Sequence, residues 1–170
     1  MDAKLLNPFL QAALEVLEVE VDAHASRGEI RLERSSMTSD DLTVLINLVG
    51  DVYGVVMFGM NLSAGLNMVS RIMGQEFGEM TPLAQSGIAE LGNVISGRAT
   101  IRFSEAGYRS NISTPTILIG SGVQISTLDF PRIVVPLRTR SGIFTVHLAL
   151  RERAGETSRE PDEFAPRIKE

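Results

Sequence analysis

The feature that most constrains the fold is a pair of β-rich runs, "LTVLINLVG" (42–50) and "VYGVVMFGM" (52–60), which meet at Gly50 and Asp51. Two such runs flanking a Gly-Asp pair are typical of a β-hairpin. The second run is apolar at almost every position, which predicts a strand that is central in its sheet or covered by helices. The chain is therefore expected to form an antiparallel sheet with at least one covered face.

Three stretches have apolar residues at helical spacing, and each begins at a residue type that caps helices well. The expected starts are Asn7 followed by Pro8, Ser63, and Thr81 followed by Pro82. The second pattern is expected to end at Gly74, and the third, which is the longest, near Gly107. These start and stop signals predict one N-terminal helix and two consecutive central helices.

The remaining elements are predicted strands. Ile30 and Leu32 alternate with charged residues, which predicts a half-buried strand after the first helix. A last hairpin is expected to turn at Ser141 and Gly142, followed by inward-facing residues: Phe144, Val146, Leu148 and Leu150. The order is helix, three strands, two helices and about three strands, which predicts an α+β domain, an antiparallel sheet with helices packed on one side. We expect this domain to span residues 1–153 and the charged segment 154–170 to be a disordered tail.

Composition narrows the possible functions. The net charge of −5 argues against binding to nucleic acid or to an anionic membrane surface, and the absence of cysteine excludes disulfides and thiolate chemistry. The first residues, "MDAKLLNPFL", do not resemble a signal peptide, and no apolar run approaches the ~18 residues of a membrane span. A cytoplasmic location is expected. His24 and His147 lie far apart in the sequence without well-placed carboxylates, so no metal site is predicted.

The third helical pattern carries an acid and an amide on one face. With about 100° per residue, Ser86, Asn93 and Gly97 fall within roughly 60° of Glu90. The opposite side is apolar and suits packing on the sheet: Ala84, Ile88, Leu91, Ile95 and Ala99. A Glu-x-x-Asn spacing alone is more often a solvated helix face than a site. Glycine inside a helix costs about 1 kcal/mol, however, so the glycines of this helix call for tight packing or close approach of another backbone.

The combination of Ser86, Glu90 and Asn93 with Pro115 at the start of a strand resembles the signature of the CheC/CheX/FliY chemotaxis phosphatases. The stretches "NPFLQAALEVLE", "GVVMFGMNLSAGLNMVSRIMG" and "ELGNVISGRA" resemble the first helix, the third strand with the second helix, and the active helix of CheX proteins. The resemblance covers roughly residues 5–152. It implies a CheX-like fold and a homodimer with one site per subunit.

A second site of the CheC type is not expected in the first helix. The matching positions there are Gln11, Glu15 and Glu18, with glutamate where the signature has asparagine. Glu15 and Glu18 are accordingly predicted to form a solvated stripe. A single motif is similar to the pattern of the CheX branch.

The resemblance implies a reaction, the hydrolysis of an aspartyl phosphate on a CheY-type receiver domain. The receiver would supply its own Mg²⁺ and lysine, so no cofactor is expected in this chain. Asn93 would hold the attacking water, because a carboxamide both donates and accepts hydrogen bonds, and Glu90 would pair with the lysine. Ser86 and Gly97 would support partner binding, although a serine at such a position often bonds only its own backbone. Pro115 is expected to be structural.

Two other functions remain open. One is a binding module that docks on a response regulator or a flagellar-switch protein without hydrolysis. The other is a dimerisation domain whose polar helix face has no function.

Overall fold

The structure is a computed structural model that describes residues 3–21, 24–34, 36–127 and 130–153. Its helices are α1 (Ala3–Val21), α2 (Leu62–Met73) and α3 (Pro82–Glu105). The strands before α2 are β1 (Ser26–Arg27), β2 (Arg31–Glu33), β3 (Met37–Thr38), β4 (Leu42–Gly50) and β5 (Val52–Met60). Those after α3 are β6 (Ser110–Ile112), β7 (Thr116–Ile119), β8 (Gln124–Ile125), β9 (Arg132–Thr139) and β10 (Gly142–Glu152).

Nearly all strands join one antiparallel sheet. Its order is β1-β9-β10-β5-β4-β6, with β2 also on β9 and β7 also on β4, while β3 and β8 form a separate pair. The predicted β4–β5 hairpin is confirmed at Gly50 and Asp51, with Leu48 opposite Gly54 near the turn and Leu42 opposite Met60 at the far end. β5 lies between β10 and β4, which explains why its sequence is apolar on both faces.

The three helices cover one face of the sheet and enclose the core between them. Alternate residues of β10 point into this core, and each predicted inward position is buried: Phe144, Val146, Leu148 and Leu150. The ring of Phe144 stacks on that of Phe58 from β5, with centroids 5.5 Å apart. The α+β fold with an antiparallel sheet and helices on one side is therefore as predicted.

The helix boundaries depart from the sequence predictions at two starts. α1 begins at Ala3 rather than after Asn7, and Pro8 lies inside it. Burial of Leu5 and Leu6 keeps the chain helical before the proline, although Pro8 has no N–H to donate to the preceding turn.

α2 is capped by Asn61, whose side chain accepts a hydrogen bond from the Ala64 N–H at 2.7 Å, so the predicted cap Ser63 lies inside the helix. Asparagine is as good a cap as serine, and it comes first in the chain. The predicted end of α2 at left-handed Gly74 is confirmed, as is the start of α3, where Thr81 accepts from the Ala84 N–H.

The predicted strand around residue 31 is shorter and more exposed than its pattern indicates. β2 comprises only three residues at the edge of the sheet, and Leu32 is 56% exposed. An edge position next to β9 gives these side chains no covering layer, so the expected half-buried face does not form. The expected tail at 154–170 lies outside the described residues.

The face of the sheet opposite the helices is also largely covered. Met57, Ala149 and Val134 on this face are buried. The Asp40 carboxylate occupies the space that a side chain at Gly59 would take, and Phe130 packs edge-on against Tyr53 at 5.8 Å. Asp40 and Phe130 therefore belong to a partial second layer on this face of the sheet.

Candidate active site

α3 lies along the sheet with one side buried and the other open. The residues predicted to face the sheet are all buried: Ala84, Ile88, Leu91, Ile95 and Ala99. On the outer side, Ser86 and Glu90 are exposed, while Asn93 and Gly97 are half-buried. The structure thus brings these four residues together on one solvent-facing strip of a helix fixed by its apolar side.

The glycines of α3 have different surroundings. A Cβ at Gly87 would lie 2.6 Å from Val69 Cγ2 of α2, and one at Gly92 would lie 2.9 Å from Val44 Cγ1 of the sheet. These two positions allow α3 to approach its neighbours closely. A Cβ at Gly97 would meet nothing within 4 Å, so packing within the described residues does not explain this glycine.

The acid and the amide are hydrogen-bonded to each other. Asn93 Nδ2 donates to Glu90 Oε2 at 3.2 Å, one turn back along the helix. Because a carboxylate can only accept, the bond fixes the orientation of the carboxamide and directs its other group, the oxygen Oδ1, away from Glu90. No lysine or arginine of the described ranges forms an ion pair with Glu90, so the carboxylate can receive a cation from outside.

Ser86 and Pro115 occupy supporting positions. The Ser86 hydroxyl donates to the Pro82 carbonyl oxygen at 3.0 Å, within its own helix, and not to Glu90. Pro115 immediately precedes β7, the strand that pairs with β4. Their predicted roles stay predictions, since hydrogen bonding within α3 and the placement of a strand are compatible with purely local functions.

α1 carries a clamp that the sequence analysis did not predict. Glu15 accepts hydrogen bonds from Arg98 at 2.8 Å and Arg102 at 2.7 Å, both on α3, and Gln11 accepts from Arg102 at 3.3 Å. Glu15 and Glu18 are both exposed, as the predicted solvated stripe requires, and Glu15 also links α1 to α3 through these ion pairs. The i, i+4 spacing of the two arginines was the available signal, but it requires knowing that α1 and α3 are neighbours.

The histidines occupy unrelated places. His24 bonds the exposed Glu18 at 2.8 Å, whereas His147 is 7% exposed on the face of the sheet opposite the helices. Burial, followed by the charges of Arg132 and Arg31, lowers the pKa of His147 to about 4. No three His, Asp or Glu side chains of the described ranges come close enough to hold a metal ion.

Within the described part of the chain, no helix combines the length and apolar character that crossing a bilayer requires.

Comparison with known proteins places this architecture in one family. Residues 42–138, more than half of the chain, match the sequence model of the family described as Chemotaxis phosphatase CheX. The CheY-P phosphatase CheX of Thermotoga maritima is 24% identical over 128 residues, which cover 75% of this chain and 83% of that relative.

Solved structures share the fold. A CheC-like superfamily protein from Shewanella sp. PV-4 aligns with a TM-score of 0.81 and 22% identity, covering 89% of this chain and 99% of that one. CheX in a CheX–CheY–BeF3–Mg complex from Borrelia burgdorferi aligns with a TM-score of 0.75 and 23% identity, covering 86% of this chain and 97% of that one. The extent of the family match, together with the shared fold, shows that this chain belongs to the CheX family of chemotaxis phosphatases.

Proposed function

We propose that this protein hydrolyses the aspartyl phosphate of a CheY-type response regulator. The family is one of chemotaxis phosphatases, the Thermotoga maritima relative is a CheY-P phosphatase, and the Borrelia burgdorferi neighbour comes from a complex with CheY. The observation that carries the proposal is the accessible Glu90–Asn93 pair on the outer side of α3.

Asn93 is assigned the positioning of water. Its Nδ2 is engaged by Glu90, so Oδ1 remains to accept a hydrogen bond from a water molecule placed in line with the phosphorus. The water oxygen attacks phosphorus, the bond from phosphorus to the aspartate oxygen breaks, and inorganic phosphate and a free carboxylate result. The proton of the water leaves with the phosphate or to solvent. A carboxamide cannot act as general base at neutral pH, and an acyl phosphate does not require one.

Glu90 is assigned the pairing with a lysine of the receiver. An exposed carboxylate without a cationic partner among the described residues can form a charge-assisted bond with that ammonium group. Its bond to Asn93 would then link docking to the placement of the carboxamide. Removal of Glu90 should weaken both binding and turnover, whereas removal of Asn93 should weaken turnover alone.

The remaining predicted residues support this arrangement. Gly97 leaves space beside Asn93 into which the receiver backbone can approach, because among the described residues a Cβ there would meet no atom outside its own helix backbone within 4 Å. Ser86 lies one turn before Glu90 on the same strip, with an oxygen that can still accept a bond from the partner. Pro115 immediately precedes β7, a strand that contacts α3.

The magnesium ion belongs to the receiver in this scheme. Glu90 and Asn93 provide one carboxylate and one carboxamide that bond each other, which is too few ligands for an independent Mg²⁺ site. The ion would neutralise charge on the transferring phosphoryl group, and this chain would contribute no ligand that the reaction requires.

A homodimer is part of the proposal. It is supported by the resemblance to CheX proteins, while the short strands β1, β2, β6 and β7 at the two edges of the sheet neither require nor exclude it. Light scattering at several concentrations should report a mass twice that of the 18.5 kDa chain. A mass of one chain at every concentration would contradict it.

The function is tested with CheY-type receiver domains phosphorylated by acetyl phosphate. Phosphate release should accelerate on addition of the wild-type protein and remain at the spontaneous rate with Asn93→Ala. Both proteins should bind the beryllofluoride–Mg²⁺ form of the receiver with similar affinity. Wild-type binding without acceleration would instead support the alternative, a non-catalytic docking module.

A further inference from the structure

Two large apolar side chains stand on the outer side of α3, where a solvent-facing helix surface is normally polar. Leu83 is 50% exposed and Ile101 is 60% exposed. Neither contributes to the buried core that holds α3 on the sheet. Single exposed apolar side chains are common on protein surfaces, so the position of these two residues on α3 matters more than their exposure.

The two residues are aligned with each other and with the acid–amide pair. They are 18 positions apart, which is five turns of 3.6 residues, so they point in the same direction about 27 Å from each other. The midpoint between them lies at position 92, between Glu90 and Asn93. Leu83 and Ile101 both lie about 20° from Glu90 around the helix axis. The polar pair therefore occupies the centre of a line with an apolar side chain at each end.

We propose that Leu83 and Ile101 are the apolar anchors by which a phosphorylated receiver domain docks on α3. This inference rests on the proposed function, because that function places the receiver's phosphoaspartate against the centre of the line. A standard interface covers about 800 Å² on each partner, equivalent to a disc of about 16 Å radius. Both residues, about 13 Å from the centre, fall within that disc.

The surface between the anchors is shaped for close contact. Gly97 has no side chain, and no other described element comes within 4 Å of its Cβ position. The half-buried Val94 adds apolar surface beside it. A polar, reacting centre with apolar contacts on either side would let the receiver exclude water from the phosphoryl group. The occupant that fits is a receiver with apolar residues on both sides of its phosphorylation pocket.

The test separates docking from chemistry by the kinetic parameter that changes. Leu83→Gln and Ile101→Gln should each raise the KM for phosphorylated receiver, and the Kd for its beryllofluoride–Mg²⁺ form, about tenfold, because apolar contact area is lost. The kcat should stay within twofold of the wild type, and thermal unfolding should be unchanged, since both side chains are exposed. Asn93→Ala should show the reverse pattern, a loss of kcat with unchanged Kd.

Ile143→Gln is the matched control. Ile143 is the same residue type at 53% exposure, but it points away from the helices on the other face of the sheet, because its neighbour Phe144 points into the core. Its substitution should leave KM, Kd and kcat unchanged. Equal increases in Kd for Ile143→Gln and Ile101→Gln would overturn the assignment of specific anchors.

Other outcomes distinguish the proposed apolar anchors from the proposed phosphatase function on which they rest. If Asn93→Ala abolishes turnover while Leu83→Gln and Ile101→Gln bind like the wild type, the anchors are wrong and the phosphatase stands. If those two variants change the oligomeric state but not receiver affinity, the anchors contact a second copy of this chain and the proposal is overturned. A wild-type protein that neither binds nor dephosphorylates receivers would refute the proposed function as well.

Discussion

α1 and α3 each carry an acid at the second position of the same residue spacing, and the two acids have opposite surroundings. Glu15 on α1 is held by Arg98 and Arg102 at 2.7–2.8 Å, so its charge is already paired. Glu90 on α3 bonds only the neighbouring amide of Asn93 at 3.2 Å. Glu15 links α1 to α3, whereas the carboxylate of Glu90 is available to a cationic group of another protein.

Spacing along a helix therefore does not by itself define a site. Gln11-x-x-x-Glu15-x-x-Glu18 and Ser86-x-x-x-Glu90-x-x-Asn93 place their polar groups identically around their helices. The decisive facts are the residue at the third position and the charges on the neighbouring helix. An amide can orient water and restrain its own acid, whereas Glu18 bonds His24 and leaves Glu15 to the arginines.

The largest difference between the two helices is expected when each acid is replaced by alanine in a separate variant. Glu90→Ala should lower kcat/KM for phosphorylated receiver about 1000-fold, or about 4 kcal/mol, because a charge-assisted bond and the restraint on Asn93 are lost together. Its stability should change by less than about 0.5 kcal/mol. Glu15→Ala, the matched variant on α1, should retain wild-type kcat/KM. Similar losses of activity in the two variants would erase the distinction between the helices.

The stabilities of the wild type, Glu90→Ala and Glu15→Ala all depend on pH, because the protonation of His147 changes on unfolding. Its pKa is about 4 in the folded protein, because burial and then Arg132 and Arg31 disfavour the charged ring, against about 6.5 when unfolded. The unfolded state therefore binds the proton first. Stability should be complete above pH 6.5 and decrease by on the order of 3 kcal/mol as the pH falls towards 4.

Urea unfolding at pH 7 and pH 4.5 measures this decrease, and His147→Leu should largely remove it. Burial, followed by the charge of Asp41, raises the pKa of Asp40, so this group adds stability as the pH falls through its raised pKa and partly offsets the loss from His147. A His147→Leu protein with the wild-type pH dependence would show that another group is responsible. The comparison of Glu15 with Glu90 is thus best made at pH 7.

A smaller effect is expected for the clamp on α1. Glu15→Ala should destabilise the protein by about 1 kcal/mol at pH 7 and low salt, because two partly exposed ion pairs are lost. In 1 M NaCl the difference from the wild type should shrink, since salt screens these charges. Urea unfolding of both proteins at the two salt concentrations measures it. A loss that does not depend on salt would indicate packing rather than charge.

The smallest effect concerns Gly97. Gly97→Ala should stabilise the free protein by about 0.5–1 kcal/mol, because alanine favours the helix and, in the described part of the structure, its Cβ would meet no neighbouring element within 4 Å. The same methyl group should slow dephosphorylation by obstructing the receiver. Gly92→Ala is the control and should destabilise, since its Cβ would lie 2.9 Å from Val44 Cγ1. An unchanged rate for Gly97→Ala would remove this glycine from the partner surface.

The sequence predicts best those elements whose signals are local. The bounds of β4 and β5, the Thr81 cap of α3 and the inward-facing residues of β10 follow from turn chemistry and periodicity over a few residues. The early start of α1 and the exposure of Leu32 depend on which elements become neighbours. Such tertiary effects override local pattern, and they account for the wrong boundaries.

The candidate site shows the same division. The common face of Ser86, Glu90, Asn93 and Gly97 is a consequence of helical geometry and could be predicted. The arginine clamp on Glu15 could not, because it joins residues 83 and 87 positions apart. The burial of His147 could not be predicted either. The alternation of residues along its strand does not indicate what covers the face of the sheet opposite the helices.

The attachment of α3 to the sheet along its whole inner side has a consequence for signalling. Within the described residues, α3 is packed along the sheet and its outer side is open, so under the proposed function the geometry of the site would be set before a receiver binds. If the proposed function holds, receivers would be distinguished mainly when they first bind to α3. Crosstalk between pathways in the same cell would be limited only by the few surface residues that decide which receivers fit.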